Sequence, residues 1–321
     1  MTAAATRTIL LASPRGFCAG VSYAIDIVDL VLERFGPPVY VRHEIVHNRH
    51  VVEDLRERGA RFVDDLAEVP AGSLLIFSAH GVAPAVRADA EARGLRVVDA
   101  TCPLVTKVHL QALKYAREDF EILLIGHRGH VEVVGTLGHA PERMHLVETV
   151  DDVERLTLRD PERVAIVTQT TLSVDDTRAI VDTIRRRFPA VRTPSTDDIC
   201  YATQNRQTAV KELARRSQCV LVIGSPTSSN ANRLVEVARQ AGTAAHLIED
   251  AQAIDPAWVG EVQTVGLSAG ASTPEALVQD TVDRLRGLGF TTLCDLQTAE
   301  EDVTFPLPRE LRSAGDADSA G

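Results

Sequence analysis

The chain has 321 residues, of which 45% are hydrophobic and 25% charged, and its formal net charge is −11. This length allows two or three domains, and the negative charge argues against a nucleic-acid binder, which needs basic residues to displace the counterions of phosphates. The apolar runs, such as 219–223, are too short to cross a membrane. The first ten residues lack the apolar segment of a signal peptide, so we expect a cytoplasmic protein.

Short β-branched segments alternate with amphipathic segments of helical length along the chain. This alternation predicts an α/β fold, because buried strands are short and apolar while surface helices repeat apolar residues every three or four positions. A loop of small and polar residues and then a helix follow each predicted strand. The predicted strands, in chain order, are 8–12, 73–77, 121–125, 164–168, 219–223 and 264–267.

The chemically unusual residues lie where strands lead into helices. We identify nine such junctions, and the first, fourth and seventh each contain a cysteine. Ligands of open α/β units bind beyond the carboxyl ends of the strands, so the junctions are candidate sites. In chain order they read SPRGFCAG (13–20), RHEIVHN (42–48), SAHG (78–81), DATCP (99–103), GHRGHVEVVG (126–135), TQTTLS (168–173), DDICYAT (197–203), GSPTSSN (224–230) and SAGASTP (268–274).

The three junction cysteines are regularly spaced. Cys102 follows Cys18 by 84 residues, and Cys200 follows Cys102 by 98 residues. This spacing predicts three similar α/β units, each beginning with strand, cysteine and helix, whose thiols would meet if the units face a common axis. The predicted ranges are 1–101, 102–196 and 197–290 for the units and 291–321 for a C-terminal tail with a disordered end.

Three thiolates from three units suit a cubane iron–sulfur cluster in which one iron has no protein ligand. Such an iron has an open position and can act as a Lewis acid on a substrate oxygen. The alternative is that each cysteine is a small buried hydrophobe, which is common for a lone cysteine. Cys219, in an apolar run, fits that alternative, and Cys294 has no polar pattern around it. The chain has no C-x-x-C motif of a zinc ribbon or a compact ferredoxin.

Histidines and hydroxyl residues also lie at the junctions. A set rich in hydrogen-bond donors at helix N-termini suits a phosphate or diphosphate. Serine and asparagine also cap helices for purely structural reasons, so both interpretations stay open. The members of this set are His47, His80, His130, Thr170, Ser228, Asn230 and Ser272.

His130 and Glu132 are two positions apart, which in an extended loop lets both side chains face one pocket. The histidine would then bind an anion and the glutamate would pass a proton. The alternative is a solvated pair of loop residues. We predict that the other histidines are structural or exposed, namely His43, His50, His109, His127, His139, His145 and His246.

Together the junction motifs resemble one family, the 4-hydroxy-3-methylbut-2-enyl diphosphate reductases. The resemblance extends from about residue 9 to residue 311 and keeps the order and spacing of motifs such as PRGFCAGV, DATCPLVTKVH, GHRGHVEVVGT and DDICYATQNRQ. It implies three α/β units in a pseudo-threefold trefoil around a central [4Fe–4S] cluster. The cluster would have Cys18, Cys102 and Cys200 as ligands and one open iron.

The same resemblance implies which residues bind and convert the substrate. Glu132 would be the proton source, Thr170 would contact the substrate near its hydroxyl, and His130 would act with them. The substrate-binding residues would be Thr170 and, at the diphosphate, His47, His80, His130, Ser228, Ser229, Asn230 and Ser272.

The implied reaction removes the hydroxyl group of an allylic diphosphate reductively and gives isopentenyl or dimethylallyl diphosphate. It is the last step of the methylerythritol phosphate pathway. An external one-electron donor such as ferredoxin or flavodoxin is needed, since the G-x-G-x-x-G fingerprint of a bound dinucleotide is absent. We expect neither a nucleic-acid nor a membrane partner.

Three positions depart from the family pattern. Val131 stands where a proline is usual, Val134 replaces an expected acid, and Pro226 stands where a polar residue is expected. None of them removes a proposed ligand. They could alter the backbone near Glu132 and Ser228.

Three other functions remain open from the residues alone. An iron–sulfur hydro-lyase also uses three cysteines and an open iron, but it needs no reductant. A non-catalytic iron–sulfur carrier or sensor would have little use for the junction histidines. A zinc enzyme would differ in its metal content.

Overall fold

The computed structural model describes residues 6–194 and 198–312. The end of the predicted tail, for which we expect disorder, and the boundary between the second and third predicted units lie outside these ranges. Within them, no helix is long and apolar enough to pass through a membrane. The strands are β1 (Arg7–Ser13), β2 (Val39–Arg42), β3 (Ala60–Val63), β4 (Leu74–Phe77), β5 (Arg96–Asp99), β6 (Glu121–Ile125), β7 (Met144–Val147), β8 (Val164–Thr168), β9 (Cys219–Ile223), β10 (Ala244–Ile248), β11 (Thr264–Ala269) and β12 (Phe290–Gln297).

Helices connect these strands. The α-helices are α1 (Ala19–Phe35), α2 (Arg49–Glu57), α3 (Pro84–Ala92), α4 (Pro103–Arg117), α5 (Val131–Leu137), α6 (Val150–Arg155), α7 (Val174–Arg187), α8 (Tyr201–Arg216), α9 (Ser229–Gln240), α10 (Pro256–Val259) and α11 (Glu275–Gly287). Short 3₁₀ turns lie at Leu66–Glu68, Ala251–Ala253 and Arg309–Leu311.

The strands form three parallel sheets, which confirms the predicted α/β fold class. One sheet has the order β10-β9-β11-β1-β12, the second β3-β2-β4-β5 and the third β7-β6-β8. The six predicted strands correspond to β1, β4, β6, β8, β9 and β11. Parallel strands with helices on both faces are buried on both sides, which explains why these strands have nearly continuous apolar sequences.

The five-stranded sheet joins the two ends of the chain. β1 pairs with β11 on one side and with β12 on the other, so that Leu10 lies between Gly266 and Cys294. The sheets therefore divide the chain differently from the predicted ranges. β1 falls in the range 1–101 but lies in the sheet of the third unit, and most of β12 falls in the predicted tail, 291–321. Pairing the two ends satisfies the backbone groups of both strands.

Three helices cross from one sheet to the next. α1 follows the five-stranded sheet but packs Ile27 and Val31 against the four-stranded sheet. α4 follows the four-stranded sheet but packs Val108 against the three-stranded sheet. α8 follows the three-stranded sheet but packs Val210 against the five-stranded sheet. Each of the three helices thus leads from one sheet to the next until the first sheet is reached again. Each of them begins next to a junction cysteine.

The third crossing departs from the predicted order of strand, cysteine and helix. Cys18 follows β1 and Cys102 follows β5, as predicted. In the described residues before Cys200, α7 is followed only by an isolated bridge between Ala165 and Arg192. The described residues before Cys200 thus contain no strand at the position that the predicted order requires. This segment is polar and rich in proline and threonine, and proline cannot donate to a strand ladder.

Candidate functional site

One cavity is lined by every residue to which the sequence analysis assigns a site role. It encloses about 710 Å³ of space without protein atoms, including the part open to solvent. This volume is typical of small-molecule and cofactor sites. The predicted residues on its wall are Cys18, His47, His80, Cys102, His130, Glu132, Thr170, Cys200, Ser228, Ser229, Asn230 and Ser272.

The three cysteines on the wall have the same position in their helices. Cys18, Cys102 and Cys200 are the N-cap residues of α1, α4 and α8. Burial raises the pKa of the Cys102 thiol to about 12 and that of the Cys200 thiol to about 11, and the nearby Cys18 adds to both shifts. Backbone N–H groups of the first helical turn act in the opposite direction. The helix ends therefore favour anionic sulfur, which is the form that binds metal.

Gly20 allows two of the thiols to approach the same backbone. A Cβ atom at this position would lie 2.4 Å from Cys102 Sγ and 3.9 Å from Cys18 Sγ. Any other residue would therefore enter the space of the thiols. In the part of the chain that the structure describes, no three Cys, His, Asp or Glu side chains converge on a position for one metal ion. Cysteine thiolates are the usual ligands of iron–sulfur clusters.

Three histidines form a second group on the wall. The ring centroids of His47 and His80 are 4.2 Å apart, and His130 lies 5.5 Å from His47 and 6.1 Å from His80. Burial lowers the pKa of His80 well below its usual value and that of His130 to about 4, and the neighbouring histidines add to both shifts. Both rings are therefore neutral near pH 7 in the empty cavity.

The hydrogen bonds of the histidines fix which ring nitrogen is left for a ligand. Nδ1 of His47 contacts the Glu44 carboxylate at 3.1 Å, and Nδ1 of His80 contacts Ser78 Oγ at 3.2 Å. Nδ1 of His130 accepts the backbone N–H of Glu132 at 3.2 Å. Nε2 of His47 is buried and has no hydrogen-bond partner among the described residues. Since His130 accepts at Nδ1, its neutral ring carries the proton at Nε2 and can donate it there.

Glu132 is a buried carboxyl group held by one residue. Its oxygens accept the backbone N–H of Thr170 at 2.6 Å and the Thr170 hydroxyl at 3.0 Å. Burial raises the pKa of Glu132 to about 7, the two Thr170 bonds act against this rise, and the charge of Asp198 adds to it. Glu132 is therefore protonated in a large part of the molecules at neutral pH, which suits a general acid.

The N-terminus of α9 supplies the polar end of the cavity. Ser228 Oγ accepts the N–H of Ala231 at 3.2 Å and caps the helix. Ser272 donates to the carbonyl oxygen of His47 at 2.9 Å. Asn230 is 4% exposed, yet neither atom of its amide has a hydrogen-bond partner among the described residues. Because an unpaired buried amide is costly, its position indicates that a polar ligand completes the site.

The sequence analysis missed Thr171, which lines the cavity, and polar residues behind the wall. Gln169 donates to Thr171 Oγ1 at 2.9 Å, and Thr171 donates to Ser229 Oγ at 3.2 Å. Asp198 is buried and accepts the backbone N–H of Thr168 at 3.2 Å. All of these lie in the junctions TQTTLS, GSPTSSN and DDICYAT, so the junction signal covers them. Their individual contacts depend on how separate junctions meet, which no local pattern shows.

The three departures from the family pattern leave the local structure of the site in place. Val131 is the first residue of α5, and Val134 is 56% exposed on its outer face. The carbonyl oxygen of Pro226 accepts from Asn232 at 2.7 Å. Glu132 keeps its bonds to Thr170 and Ser228 keeps its cap, so none of the departures displaces these two side chains.

Other cysteines and histidines lie away from the cavity. Cys219 is fully buried in β9, which confirms it as a core residue, and Cys294 is exposed on β12. His109 and His139 stack with their ring centroids 4.1 Å apart. Burial lowers the pKa of His109 to about 3. This pair packs behind the wall, against Gly81, and does not line the cavity.

Comparisons with known proteins agree with the motifs. The family model described as "LytB protein" matches residues 9–286. 4-Hydroxy-3-methylbut-2-enyl diphosphate reductase 2 of Burkholderia mallei is 57% identical over 309 residues, covering 96% of this chain and 95% of the relative. The reductase of Neisseria meningitidis serogroup C is 55% identical and covers 97% of both chains.

A solved structure extends this likeness to the fold. The E-1-hydroxy-2-methyl-but-2-enyl-4-diphosphate reductase of Plasmodium falciparum superposes with a TM-score of 0.93 at 41% identity, covering 95% of this chain and 97% of that chain. The resemblance found in the sequence is thereby confirmed. The chain belongs to the LytB family, whose curated relatives are the 4-hydroxy-3-methylbut-2-enyl diphosphate reductases.

Proposed function

We propose that this chain reduces 4-hydroxy-3-methylbut-2-enyl diphosphate to isopentenyl or dimethylallyl diphosphate, the last step of the methylerythritol phosphate pathway. The relatives are named for the reduction of this substrate. Two electrons and two protons are consumed: one proton leaves with the hydroxyl oxygen as water, and the other is added to carbon. The observation that carries the proposal is a single cavity lined by three helix-capping cysteines, three histidines and the buried Glu132.

The cysteine end of the cavity would hold the cofactor. Cys18, Cys102 and Cys200 would bind a [4Fe–4S] cluster with one iron free of protein ligands. When bound, such a cluster supplies electrons and a Lewis-acidic iron for the substrate oxygen. The close approach at Gly20 and the helix N-termini at all three sulfurs support this assignment.

The polar end of the cavity would hold the diphosphate. The neutral His130 offers an N–H group at Nε2, and the N-terminus of α9 offers backbone N–H groups and the positive end of its dipole. The unpaired amide of Asn230 would gain its missing partner from a diphosphate oxygen. The residues that would bind are His47, His80, His130, Ser228, Ser229, Asn230 and Ser272.

Glu132 and Thr170 would supply the proton for the leaving oxygen. A carboxyl group with a pKa of about 7 holds its proton at neutral pH and can also give it up. The contact between Glu132 and the Thr170 hydroxyl allows a relay. When Glu132 is protonated, its O–H would donate to Thr170 Oγ1 in place of the reverse bond seen here. Glu132 would then pass its proton to Thr170 Oγ1, while the hydroxyl proton of Thr170 moves to the departing oxygen. The roles of Glu132, Thr170 and His130 in catalysis are part of this proposal.

The electrons would come from a separate one-electron carrier, such as a ferredoxin or flavodoxin. The sequence has no nicotinamide- or flavin-binding fingerprint, so an external donor would supply the electrons. We also propose a cytoplasmic location.

The test is anaerobic purification followed by iron and sulfide analysis and a reductive assay on the diphosphate. We expect about four iron and four sulfide per chain and turnover only when a reductant such as dithionite with methyl viologen is present. Turnover without reductant would instead indicate a hydro-lyase. A cluster spectrum that does not respond to the diphosphate would indicate a carrier or sensor, and zinc in place of iron would indicate a zinc enzyme.

A further inference from the structure

We propose that one exposed face of α4 is the docking surface for an acidic one-electron carrier protein. We name this surface the α4 face. It consists of Thr106, Lys107, Leu110, Gln111 and Lys114, which line one side of an open groove. The inference rests on the proposed function, because only a chain that reduces its substrate needs a donor at this surface.

The position of the α4 face brings a docked protein close to the proposed cluster. α4 begins directly after Cys102, and its residues 106, 107, 110, 111 and 114 recur at the spacing of a single helical stripe. With a rise of about 1.5 Å per residue, Leu110 lies about 12 Å along the helix from Cys102 and Lys114 about 18 Å. A protein seated on this stripe therefore covers the end of the helix that carries a proposed cluster ligand.

The groove beside this stripe widens the contact. It encloses about 1050 Å³ of open space and is also lined by Tyr23, Thr101 and Pro103. Tyr23 belongs to α1, the helix that begins at Cys18, so the groove lies between the helices of two proposed cluster ligands. Electron-transfer complexes have small interfaces, below about 1,200 Å² in total. A stripe of three helical turns with its flanking groove is of a suitable size.

The charge of the α4 face differs from that of the chain as a whole. Only three of the 34 basic residues in the chain are lysines, and two of these three, Lys107 and Lys114, lie on this face, whereas the net charge of the chain is −11. The acid in the groove, Asp99, forms an ion pair with Arg87. Lys107 lies 3.7 Å from the buried Asp198, and Lys114 is exposed. An acidic carrier would be repelled by most of the surface and guided to this face.

An exposed apolar residue lies between the two lysines. Leu110 is 61% exposed, the largest value among the exposed large hydrophobic residues of the described chain. Interfaces between proteins combine an apolar centre with a polar rim, and Leu110 between Lys107 and Lys114 has that arrangement. Leu110 does not line the cavity, so its exposed side chain does not serve substrate binding there.

A second opening near the cysteines is less suitable for an acidic partner. It lies beside Cys18 and is also apolar in part, with Phe17 and Val303 exposed. Its charged lining residues, however, are the acids Asp26 and Glu301, and Glu301 pairs with the buried Arg206. An acidic carrier would meet the like charge of Asp26 there and no lysine or arginine in the lining. Charge complementarity therefore favours the α4 face.

The test compares carrier-driven turnover with turnover driven by a small reductant. An acidic flavodoxin and an acidic [2Fe–2S] ferredoxin are assayed separately, and dithionite with methyl viologen serves as the small reductant. In Lys114→Glu and Leu110→Ser we expect the KM for the carrier to rise about tenfold and its salt dependence to weaken. The rate with methyl viologen should stay unchanged, since a small molecule needs no docking surface.

Lys211→Glu is the matched control. Lys211 is the third lysine of the chain, lies on α8 and pairs with Asp175, and its replacement makes the same change in net charge. It should leave the carrier KM unchanged. Unchanged carrier kinetics in Lys114→Glu and Leu110→Ser, or failure of both acidic carriers to drive the wild-type chain, would overturn the docking proposal. Failure of the wild type with methyl viologen as well would instead contradict the proposed function and remove the basis of the docking proposal.

Discussion

Cysteine, histidine and glutamate occur both on the wall of the cavity and in the packing behind it. Cys102 is a helix N-cap on the wall, whereas Cys219 is fully buried at the start of β9, an inner strand of the five-stranded sheet. Burial raises the pKa of both thiols, to about 12 and about 11. The difference is that only Cys102 receives backbone N–H groups and lies near other cysteines. Burial alone does not distinguish a ligand from a core residue; the backbone around the sulfur does.

The histidines and glutamates show the same contrast. His80 and His109 are both buried with lowered pKa values, but only His80 faces the cavity. Glu132 and Glu121 are both buried carboxyl groups. Glu121 pairs with His145 at 2.8 Å, whereas Glu132 has only hydrogen bonds from Thr170. Burial raises the pKa of Glu132 to about 7, so this residue keeps a proton that it can transfer.

The largest expected difference separates the cysteines. Replacement of Cys18, Cys102 or Cys200 by serine should abolish turnover and the brown absorbance of the anaerobically purified protein, because three thiolates are needed to hold the proposed cluster. Cys219→Ser should keep both, with some loss of thermal stability from a hydroxyl group in the core. Iron content, the visible spectrum and the melting temperature measure these effects. A brown, active Cys102→Ser protein would contradict the cluster assignment.

The next difference separates the two glutamates. Glu132→Gln should reduce turnover by about 10²- to 10⁴-fold, the usual contribution of a general acid, and leave iron content and substrate binding unchanged. Glu121→Gln should keep the wild-type rate. Assays with excess dithionite and methyl viologen supply both electrons and make the comparison independent of a carrier protein. Wild-type rates in Glu132→Gln would remove this residue from the proposed mechanism.

A smaller effect should separate the two histidine groups. A diphosphate close to His80 favours its charged form and raises its lowered pKa, so substrate binding should take up protons near pH 7. Loss of this interaction in His80→Asn should weaken binding about tenfold to a hundredfold. Calorimetry without reductant, in two buffers of different ionisation enthalpy, measures both quantities. His109→Asn should change neither, and equal effects in the two variants would contradict the assignment of His80.

The sequence predicts the fold best where strands are fully buried. β6, β8 and β9 have every residue buried, and their apolar sequences identify them. β3 was missed because it is a four-residue edge strand with an exposed arginine, Arg61. The pairing of β1 with β12 joins residues about 280 positions apart. No local pattern contains that information. The predicted ranges therefore place β1 in the first unit and most of β12 in the tail, although the two strands pair in one sheet.

The candidate site could be predicted further than the fold, for a physical reason. Its residues lie at the carboxyl ends of parallel strands and at helix N-termini, and such junctions have a local signature of glycine, hydroxyl and charged residues. The residues missed act through contacts between junctions. Asp198 raises the pKa of Glu132 although 66 positions separate them. The roles of the residues on the wall stay predictions until the variants are measured.

The smallest expected effect concerns pH and distinguishes the two glutamates a second time. Glu132 donates only in its protonated form, and burial raises its pKa to about 7. The proton is therefore present below that pH and is lost as pH rises through it, so the turnover rate with excess dithionite and methyl viologen should fall about tenfold per pH unit above the pKa. A bound diphosphate adds negative charge and moves this limb to higher pH. Glu121→Gln should keep the same profile, whereas the residual rate of Glu132→Gln should lose the limb. A limb that persists in Glu132→Gln would assign the titration, and with it the proton, to another group.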